Sequence, residues 1–299
     1  AFPGDWSVRF ADPAELGQAE SLLAEAEVLI PEHVMVDAAF LAKCPKLRLV
    51  QTGAGYDNVD LGACAARGVW ACNAAGVNAD AVAEHVWAMI LCWYKNIARL
   101  DAFMRSGGDE KTLSYAGAEL GGRTIGILGM GRIGTKVAGI ARAFGMNVLG
   151  YSRRQFDRAL GERAEPERLY AQSDVVTVHL PLNEGTRHMV GAEAFARMKP
   201  DALLVNTSRG ALLDEEALIR ALQNGEIGGA CLDVYEREPL AQDSPLRSLD
   251  NVILTPHTAG LPDGVKFHKK RYAFFARNIA AVAGGGRPEC VLCGPARSV

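Results

Sequence analysis

The chain has 299 residues, 22% of them charged and 49% hydrophobic, with a formal net charge of −3. That length allows one large or two ordinary domains with a sizeable core, and the charge balance gives no electrostatic case for nucleic acid or an acidic membrane surface. The longest apolar helix candidate, 81–100, is interrupted by Glu84, His85, Lys95 and Arg99, so no membrane span is expected.

Residues 6–10 alternate like a short strand, and 14–26 carry the spacing of an amphipathic helix. A buried strand is expected at 28–30, a short helix at 37–42 and a further strand at 47–51, which ends in Thr52-Gly53-Ala54-Gly55-Tyr56-Asp57-Asn58. Another strand follows at 69–72. Strands alternating with helices imply a parallel α/β sheet, whose ligands sit at the carboxyl ends of strands. The two glycines of the 52–58 loop serve either a plain turn or amides converging on an anion. Asp80 is the expected N-cap of the long helix beginning at 81. Glu84 and His85 on that helix read as a helix-start charge and a packed histidine. The polar, glycine-containing stretch 106–118 reads as a domain linker or an arm.

An apolar run at 125–128 leads into Gly129-Met130-Gly131-Arg132-Ile133-Gly134, after which the apolar spacing turns helical. This is G-x-G-x-x-G in the context of strand, tight turn and helix, the pattern of a dinucleotide site. Gly129 permits the turn, Gly131 lets backbone approach a pyrophosphate, Gly134 lets helix and strand pack closely, and the helix start offers amides to the phosphates. The next strand, 147–151, ends in Ser152-Arg153-Arg154, where an acidic residue usually holds the ribose hydroxyls of NAD. A hydroxyl and two guanidiniums suit a 2′-phosphate instead, so NADP is expected over NAD. The alternative is that Arg153 and Arg154 are solvated loop charges, with NAD as cofactor.

A helix at 165–171 and a strand at 175–179 precede Leu180-Pro181-Leu182. Strands at 202–206, 230–235 and 252–255 then lead to Thr207-Ser208-Arg209-Gly210, Glu236-Arg237-Glu238-Pro239 and Pro256-His257-Thr258-Ala259-Gly260, with a helix at 215–224 after the first. Taken singly, Arg209 reads as a surface charge, Glu238 as a turn acid and His257 as a loop residue capping a strand. Together, delivered by successive strand ends toward one sheet edge, they form a catalytic constellation. The tail, 264–282, is a basic and aromatic helix that packs back on the first domain. Of the seven cysteines only Cys290 and Cys293 form C-x-x-C, with no second pair or nearby histidine. Reduced thiols, no metal site and a cytoplasmic location are expected.

With these motifs in hand the sequence resembles the D-isomer-specific 2-hydroxyacid dehydrogenases. The resemblance spans 6–299 and rests on the glycine motif at 129–134, His-Leu-Pro-Leu at 179–182, Asn-Thr-Ser-Arg-Gly at 206–210, Leu-Asp-Val-Tyr-Glu-Arg-Glu-Pro at 232–239 and Pro-His-Thr-Ala-Gly at 256–260. It implies an α/β protein: a Rossmann-type doubly wound parallel sheet domain, 97–260, inserted in a flavodoxin-like α/β substrate domain made of 1–96 and 261–299. It also implies a cleft and a homodimer. The family's catalytic arginine, acid and histidine match Arg209, Glu238 and His257, and its substrate-carboxylate amides match Ala54 and Gly55. Cofactor contacts are implied at Gly129, Gly131, Arg132, Ile133 and Gly134, at Ser152, Arg153 and Arg154, and at Leu180, Pro181 and Thr186. Thr207, Ser208, Asp233, His257 and Gly260 complete that set, Asp233 as partner of the nicotinamide amide or simply as a strand terminator.

The chemistry suits these roles. Reducing a 2-oxo acid needs a cation on the carboxylate and carbonyl, a proton for the developing alkoxide and a carboxylate to orient the imidazole. The expected activity is NADPH-dependent reduction of a small 2-oxo acid, of the glyoxylate or hydroxypyruvate type, to the D-2-hydroxy acid. Tyr56 and Trp87 are candidate cleft residues for substrate preference. Related formate dehydrogenases resemble the chain at Asn78 but carry glutamine where Glu238 stands. Phosphite dehydrogenases resemble 63–70 but carry lysine where Ala54 stands. A dinucleotide-sensing corepressor is the remaining alternative, marked by a peptide-binding cleft in the first domain. Residues 6–10 resemble the family's second strand, so a natural chain extending upstream of Ala1 is expected.

Overall fold

The computed structural model describes residues 6–11, 20–32, 34–109, 111, 117–261 and 264–295, with the side chains of 264–267 outside that set. Backbone contacts divide the chain into two compact units, Ala1–Asn78 with Asp263–Val299, and Ala79–Pro262.

The first unit opens with α1 (Glu20–Glu25), β1 (Val28–Leu29), α2 (Ala38–Ala42), β2 (Leu49–Thr52), α3 (Leu61–Ala66) and β3 (Trp70–Asn73). Asp37 and Asp60 start α2 and α3 by accepting from the amides of Phe40 at 2.8 Å and Ala63 at 2.9 Å, donors that a first turn leaves open. β1, β2 and β3 pair in parallel. Alternate residues face opposite ways: Val50 and Ala71 pack with Leu41, Cys44 and Cys64, while Leu49 and Cys72 lie on the other face. The strand expected at 6–10 is irregular chain instead. Val8 is 39% and Phe10 91% exposed, so the alternation does not give these two residues a buried face. Of the helix expected at 14–26, α1 is the observed part, and 14–19 lie outside the described residues.

The second unit begins with α4 (Ala79–Tyr94), α5 (Ile97–Arg105), β4 (Thr124–Leu128), α6 (Arg132–Ala143), β5 (Asn147–Tyr151) and β6 (Glu162–Arg163). It continues through α7 (Pro166–Gln172), β7 (Val175–Val178), α8 (Ala192–Arg197), β8 (Leu203–Asn206), α9 (Glu215–Gln223), β9 (Gly229–Leu232) and β10 (Val252–Leu254). The strands form one parallel sheet in the order β10-β9-β8-β7-β4-β5-β6. The chain enters at β4, winds outward to β6, then crosses back to β7 and winds outward the other way. This is the doubly wound, Rossmann-type order, with its switch point between β4 and β7. Ile125, Ile127, Val175, Leu203, Val205 and Cys231 pack toward α4 and α6, and Leu128, Val176, Val178, Leu204 and Leu232 toward α7, α8 and α9. The two-residue period of each strand thus supplies both faces of the sheet.

The division falls at 78/79 rather than the expected 96/97, because α4 belongs to this second unit. Its Val86, Trp87, Met89 and Ile90 are buried with Ile125, Val137 and Ala141. Trp87 Nε1 donates to the Val137 carbonyl at 3.3 Å, and its ring lies 5.0 Å from Phe144. Trp87 is therefore a core residue, 4% exposed, and not a cleft residue. Asp80 is not the N-cap either. The helix starts one residue earlier, and the Asp80 carboxylate pairs with Lys136 of α6 at 2.5 Å.

The chain returns to the first unit as α10 (Gly264–Ala283) and β11 (Val291–Cys293). β11 pairs antiparallel with β3, giving the order β1-β2-β3-β11, while Ile279 and Val282 cover Leu49 and Cys72. Asn278, 1% exposed, fixes this layer: its Nδ2 donates to Gln51 Oε1 at 2.7 Å and its Oδ1 accepts from the Glu289 amide at 2.7 Å. Both units are α/β.

Leu204, fully buried at the centre of the larger sheet, sets the scale of core stability. Leu204→Ala is expected to cost about 2–5 kcal/mol, measured as a lower urea midpoint; a loss below about 1 kcal/mol would mean the sheet closes around the gap.

Candidate active site

β4 runs straight into the glycine motif. Gly129 has φ 106°, a conformation L side chains rarely adopt, and a Cβ there would strike the His179 carbonyl at the end of β7. A Cβ on Gly134 would strike the Gly129 carbonyl. The glycines therefore let β4, β7 and α6 converge at the switch point. Gly131 caps α6 without a side-chain bond, so the first-turn amides of Arg132, Ile133 and Gly134 face outward from a positive dipole end.

The neighbouring strand ends complete this edge. After β5, Ser152 Oγ accepts from the Arg154 amide at 3.2 Å, leaving Arg153 and Arg154 exposed with no partner among the described residues. After β7, Thr186 Oγ1 donates to the Pro181 carbonyl at 2.7 Å and accepts from the Asn183 amide at 2.9 Å, closing the turn that presents Leu180 and Pro181. After β8, Ser208 Oγ donates to the Val178 carbonyl at 2.7 Å. Thr207 Oγ1 and His179 Nδ1 are buried with no hydrogen-bond partner among the described residues. A polar ligand at this edge would satisfy such atoms. Burial holds the His179 pKa down to about 3, so that ring is neutral.

Arg209, Glu238 and His257 follow β8, β9 and β10. Asn206 shapes the first of these ends: its Oδ1 accepts from the Ser208 amide at 3.1 Å and its Nδ2 donates to the Arg209 carbonyl at 2.9 Å. A Cβ on Gly210 would strike the Tyr235 carbonyl, so the end after β8 lies directly against the end after β9. Glu238 Oε1 accepts from the Tyr235 amide at 3.1 Å, and Oε2 meets His257 Nδ1 at 2.6 Å. Nδ1 is thus engaged and Nε2 is left for a ligand.

The pair shifts both groups. The Glu238 hydrogen bond raises the His257 pKa above the ordinary imidazole range, against burial and the nearby Arg209 charge. Burial opposes ionisation of Glu238, yet bonds from His257 and Tyr235 and the charges of His257 and Arg209 together hold its pKa below the usual value. Arg209, half-buried, is close enough to act on both.

Asp233 is the anchor beneath this pair. Fully buried, it accepts from Thr255 Oγ1 at 2.5 Å and from the amides of Thr258 and Ala259 at 2.9 Å each. Its carbonyl accepts the His257 amide at 2.8 Å, holding His257 at φ 55°. His85 of α4 extends the network, with Nε2 3.1 Å from Thr255 Oγ1.

In the other unit, the loop after β2 has its carbonyls tied down and its amides free. Gly53 O accepts from the Ala74 amide at 2.8 Å and Ala54 O from Asn73 Nδ2 at 2.9 Å, while the Ala54 and Gly55 amides meet no acceptor among the described residues. Such a pair of open amides suits an anion.

Residues 87–259 match the family model described as D-isomer specific 2-hydroxyacid dehydrogenase, NAD binding domain. The chain belongs to that family. It is an NAD(P)-dependent oxidoreductase with an NAD(P)-binding domain. It is 40% identical to a glyoxylate reductase of Aeropyrum pernix over 85% of this chain and 78% of the relative. It is likewise 40% identical to a glyoxylate/hydroxypyruvate reductase B of Klebsiella pneumoniae, over 91% of this chain and 83% of the relative. The structure is similar to that of an Aquifex aeolicus D-lactate dehydrogenase complexed with NAD and lactic acid, with a TM-score of 0.84 and 31% identity over 93% of this chain and 90% of that one.

Sequence reasoning did not find every group that shapes this dehydrogenase's site. His85, read as a packed histidine, bonds to Thr255 ahead of the turn that carries His257, and Thr255 and Asn206, at the ends of the strands expected at 252–255 and 202–206, bond to Asp233 and to the Ser208–Arg209 turn. The only available signal was position, one hydrophilic residue on the inner side of α4 and polar residues closing two central strands. Among the described residues, no three His, Cys, Asp or Glu side chains could share a metal ion, and no helix is long and apolar enough to cross a membrane. All seven cysteines are free, and burial pushes the Cys64 thiol up to about 11 and Cys72 up to about 12.

Asp233→Ala would strand three donors in the interior. A loss of about 3 kcal/mol or more is expected, with Asp233→Asn losing less because one oxygen acceptor remains. Urea unfolding of both variants checks this, and equal losses would contradict it.

Proposed function

We propose that this dehydrogenase reduces a small 2-oxo acid, of the glyoxylate or hydroxypyruvate type, to the D-2-hydroxy acid with NADPH. The observation that carries the reading is the 2.6 Å Glu238–His257 pair at the sheet edge, within the field of Arg209. The similarity to glyoxylate and glyoxylate/hydroxypyruvate reductases supports the substrate class. On this reading Ala79–Pro262 is the dinucleotide unit, and Ala1–Asn78 with Asp263–Val299 is the substrate unit.

Gly129, Gly131 and the amides of Arg132, Ile133 and Gly134 would hold the pyrophosphate, and a nicotinamide dinucleotide held there supplies hydride chemistry. Arg153 and Arg154, with Ser152, would take a 2′-phosphate through charge-assisted bonds. Leu180, Pro181, Thr186, Thr207, Ser208, Asp233 and Gly260 are assigned to the same ligand. Both Asp233 oxygens are already engaged, Oδ1 by Thr255 and Thr258 and Oδ2 by the Ala259 amide, so a nicotinamide amide would have to share one of them.

Arg209 binds the substrate carboxylate and polarises the carbonyl, its fixed charge stabilising the developing oxyanion. His257 Nε2 gives its proton to that oxygen. Glu238 keeps Nδ1 protonated and the ring oriented, and compensates the imidazolium charge before transfer. The Ala54 and Gly55 amides take the carboxylate. A proton relay of this kind serves carbonyl reduction and has no use in oxidising formate, which sets that alternative aside.

Initial rates with glyoxylate, hydroxypyruvate, pyruvate and phenylpyruvate, each with NADPH and NADH, test the reading. Turnover of glyoxylate or hydroxypyruvate with NADPH preferred is expected, and no turnover of any oxo acid would sink it. Arg153→Ser and Arg154→Ser should each raise KM for NADPH roughly tenfold while leaving KM for NADH near its starting value; equal effects on both cofactors would make these arginines solvated charges.

The reductive rate requires protonated His257. Because its pKa is raised, kcat/KM for reduction should hold through the ordinary imidazole range and fall only as pH climbs through the raised pKa. Oxidation of the hydroxy acid, which needs the neutral ring, should rise over the same interval. In Glu238→Gln the raising partner is gone, and the reductive limb should move to lower pH. An unmoved limb in the pH profile would show that another group controls it.

A further inference from the structure

In the unit that carries Ala54 and Gly55, a buried cation lies beside Gly53, the residue before the open amides. The side chain of Arg271, on α10, is 10% exposed. Its Nη2 donates to Glu32 Oε1 at 2.9 Å, its Nη1 to Oε2 at 3.4 Å, and Nη2 lies 3.4 Å from the Tyr272 hydroxyl. The guanidinium carbon sits 5.2 Å and 5.6 Å from the ring centroids of Tyr272 and Phe275. The loop after β2 also lies beside it, where a Cβ placed on Gly53 would lie 3.8 Å from Nη1. The cation is therefore one residue from the Ala54 amide.

The counter-ion is placed asymmetrically. Glu32 is 47% exposed, so water screens its charge more than that of Arg271. Asn58, at the far end of the same loop, donates to the Glu32 carbonyl at 3.1 Å and to the Val34 carbonyl at 2.7 Å, holding the glutamate segment against the loop. The loop's own acids, Asp57 and Asp60, are exposed, and Asp60 is engaged in capping α3. Among the described residues, the least screened charge beside the Gly53-Ala54-Gly55 turn is positive.

We propose that Arg271 is a positioning residue for the substrate carboxylate: without touching the substrate, it adds positive potential to the Ala54–Gly55 amides, and Glu32 sets how much of that potential reaches them. This rests on the reading that those amides take the carboxylate. It makes the turn selective for an ionised 2-oxo acid over an uncharged 2-oxo compound of the same shape. A methyl-bearing residue at Gly53 would meet Nη1 only in ordinary contact, so the arginine is set at packing distance from the turn.

The test is steady-state kinetics of the full chain, wild type and Arg271→Met, Arg271→Lys and Glu32→Gln, with glyoxylate and with its uncharged amide. Arg271→Met is expected to raise KM for glyoxylate roughly tenfold, with kcat and the cofactor KM nearly unchanged, and Arg271→Lys to restore part of the loss. Glu32→Gln is expected to act in the opposite direction, lowering KM roughly threefold, and the amide should respond to none of the three. A purely structural ion pair predicts that Arg271→Met and Glu32→Gln harm the enzyme alike and raise KM for acid and amide together; that result overturns the proposal. Should Arg271→Met fail to fold by circular dichroism, the sign of the Glu32→Gln effect and the lysine variant decide. Equal KM for acid and amide in the wild type would refute the carboxylate role of the amides themselves, whereas a wild-type preference for the acid with unchanged KM in the variants would refute Arg271 alone.

Discussion

The buried carboxylate of Asp233 is the interaction on which the candidate site depends. It stands where β9 leaves the sheet, and instead of facing solvent it gathers the Thr255 hydroxyl and the Thr258 and Ala259 amides, while its carbonyl holds the His257 amide. A polar group with no exposure is tolerated only when its hydrogen-bonding atoms are occupied. Here the occupants belong to the turn after the next strand, so the condition that makes the carboxylate stable also fixes the left-handed backbone at His257. Glu238 then needs only to reach Nδ1 for the ring to be oriented.

The sheet supplies the frame in which this can happen. Parallel strands present all their carboxyl ends on one edge, and each delivers its following turn there. β8, β9 and β10 deliver Arg209, Glu238 and His257, while β4, β5 and β7 deliver the glycine turn, the arginine pair and the Leu180-Pro181 turn. Close backbone packing keeps the ends in register: glycine at 129 where β4 passes the end of β7, and at 210 where the end after β8 lies on the end after β9. α4 closes one face through Trp87 and contributes His85 to the Asp233 network, so a helix whose pattern reads as core also bears on the site.

Electrostatics is distributed by exposure. Partners that are half open to water, such as Glu238 and His257, shift each other's protonation and remain available for proton transfer. Buried groups such as the Cys72 and Cys64 thiols are held in their neutral forms and serve packing. Arg271 combines the two, paired with Glu32 yet shielded from solvent beside the turn that carries the Ala54 and Gly55 amides.

The amino-acid sequence by itself determined the strand and helix periods, the glycine turn in its strand-to-helix context and the arrival of Arg209, Glu238 and His257 at successive strand ends. These are local or repetitive signals: side-chain period, turn chemistry and motif spacing are all legible within a few residues. It misplaced the boundary at α4, the cap of that helix, the strand at 6–10 and the role of Trp87, because each depends on which surface a segment buries. An alternating pattern such as 6–10 forms a strand only when a neighbour covers one face, and Phe10 has none among the described residues. Tertiary structure alone decided that Asp233 reaches Thr255 and Ala259, that His85 reaches Thr255, and that Arg271 lies against Gly53. These pairs are 22, 26, 170 and 218 residues apart in sequence, and no local pattern encodes a contact made only when the sheet brings distant turns to one edge or a returning helix to the layer it covers.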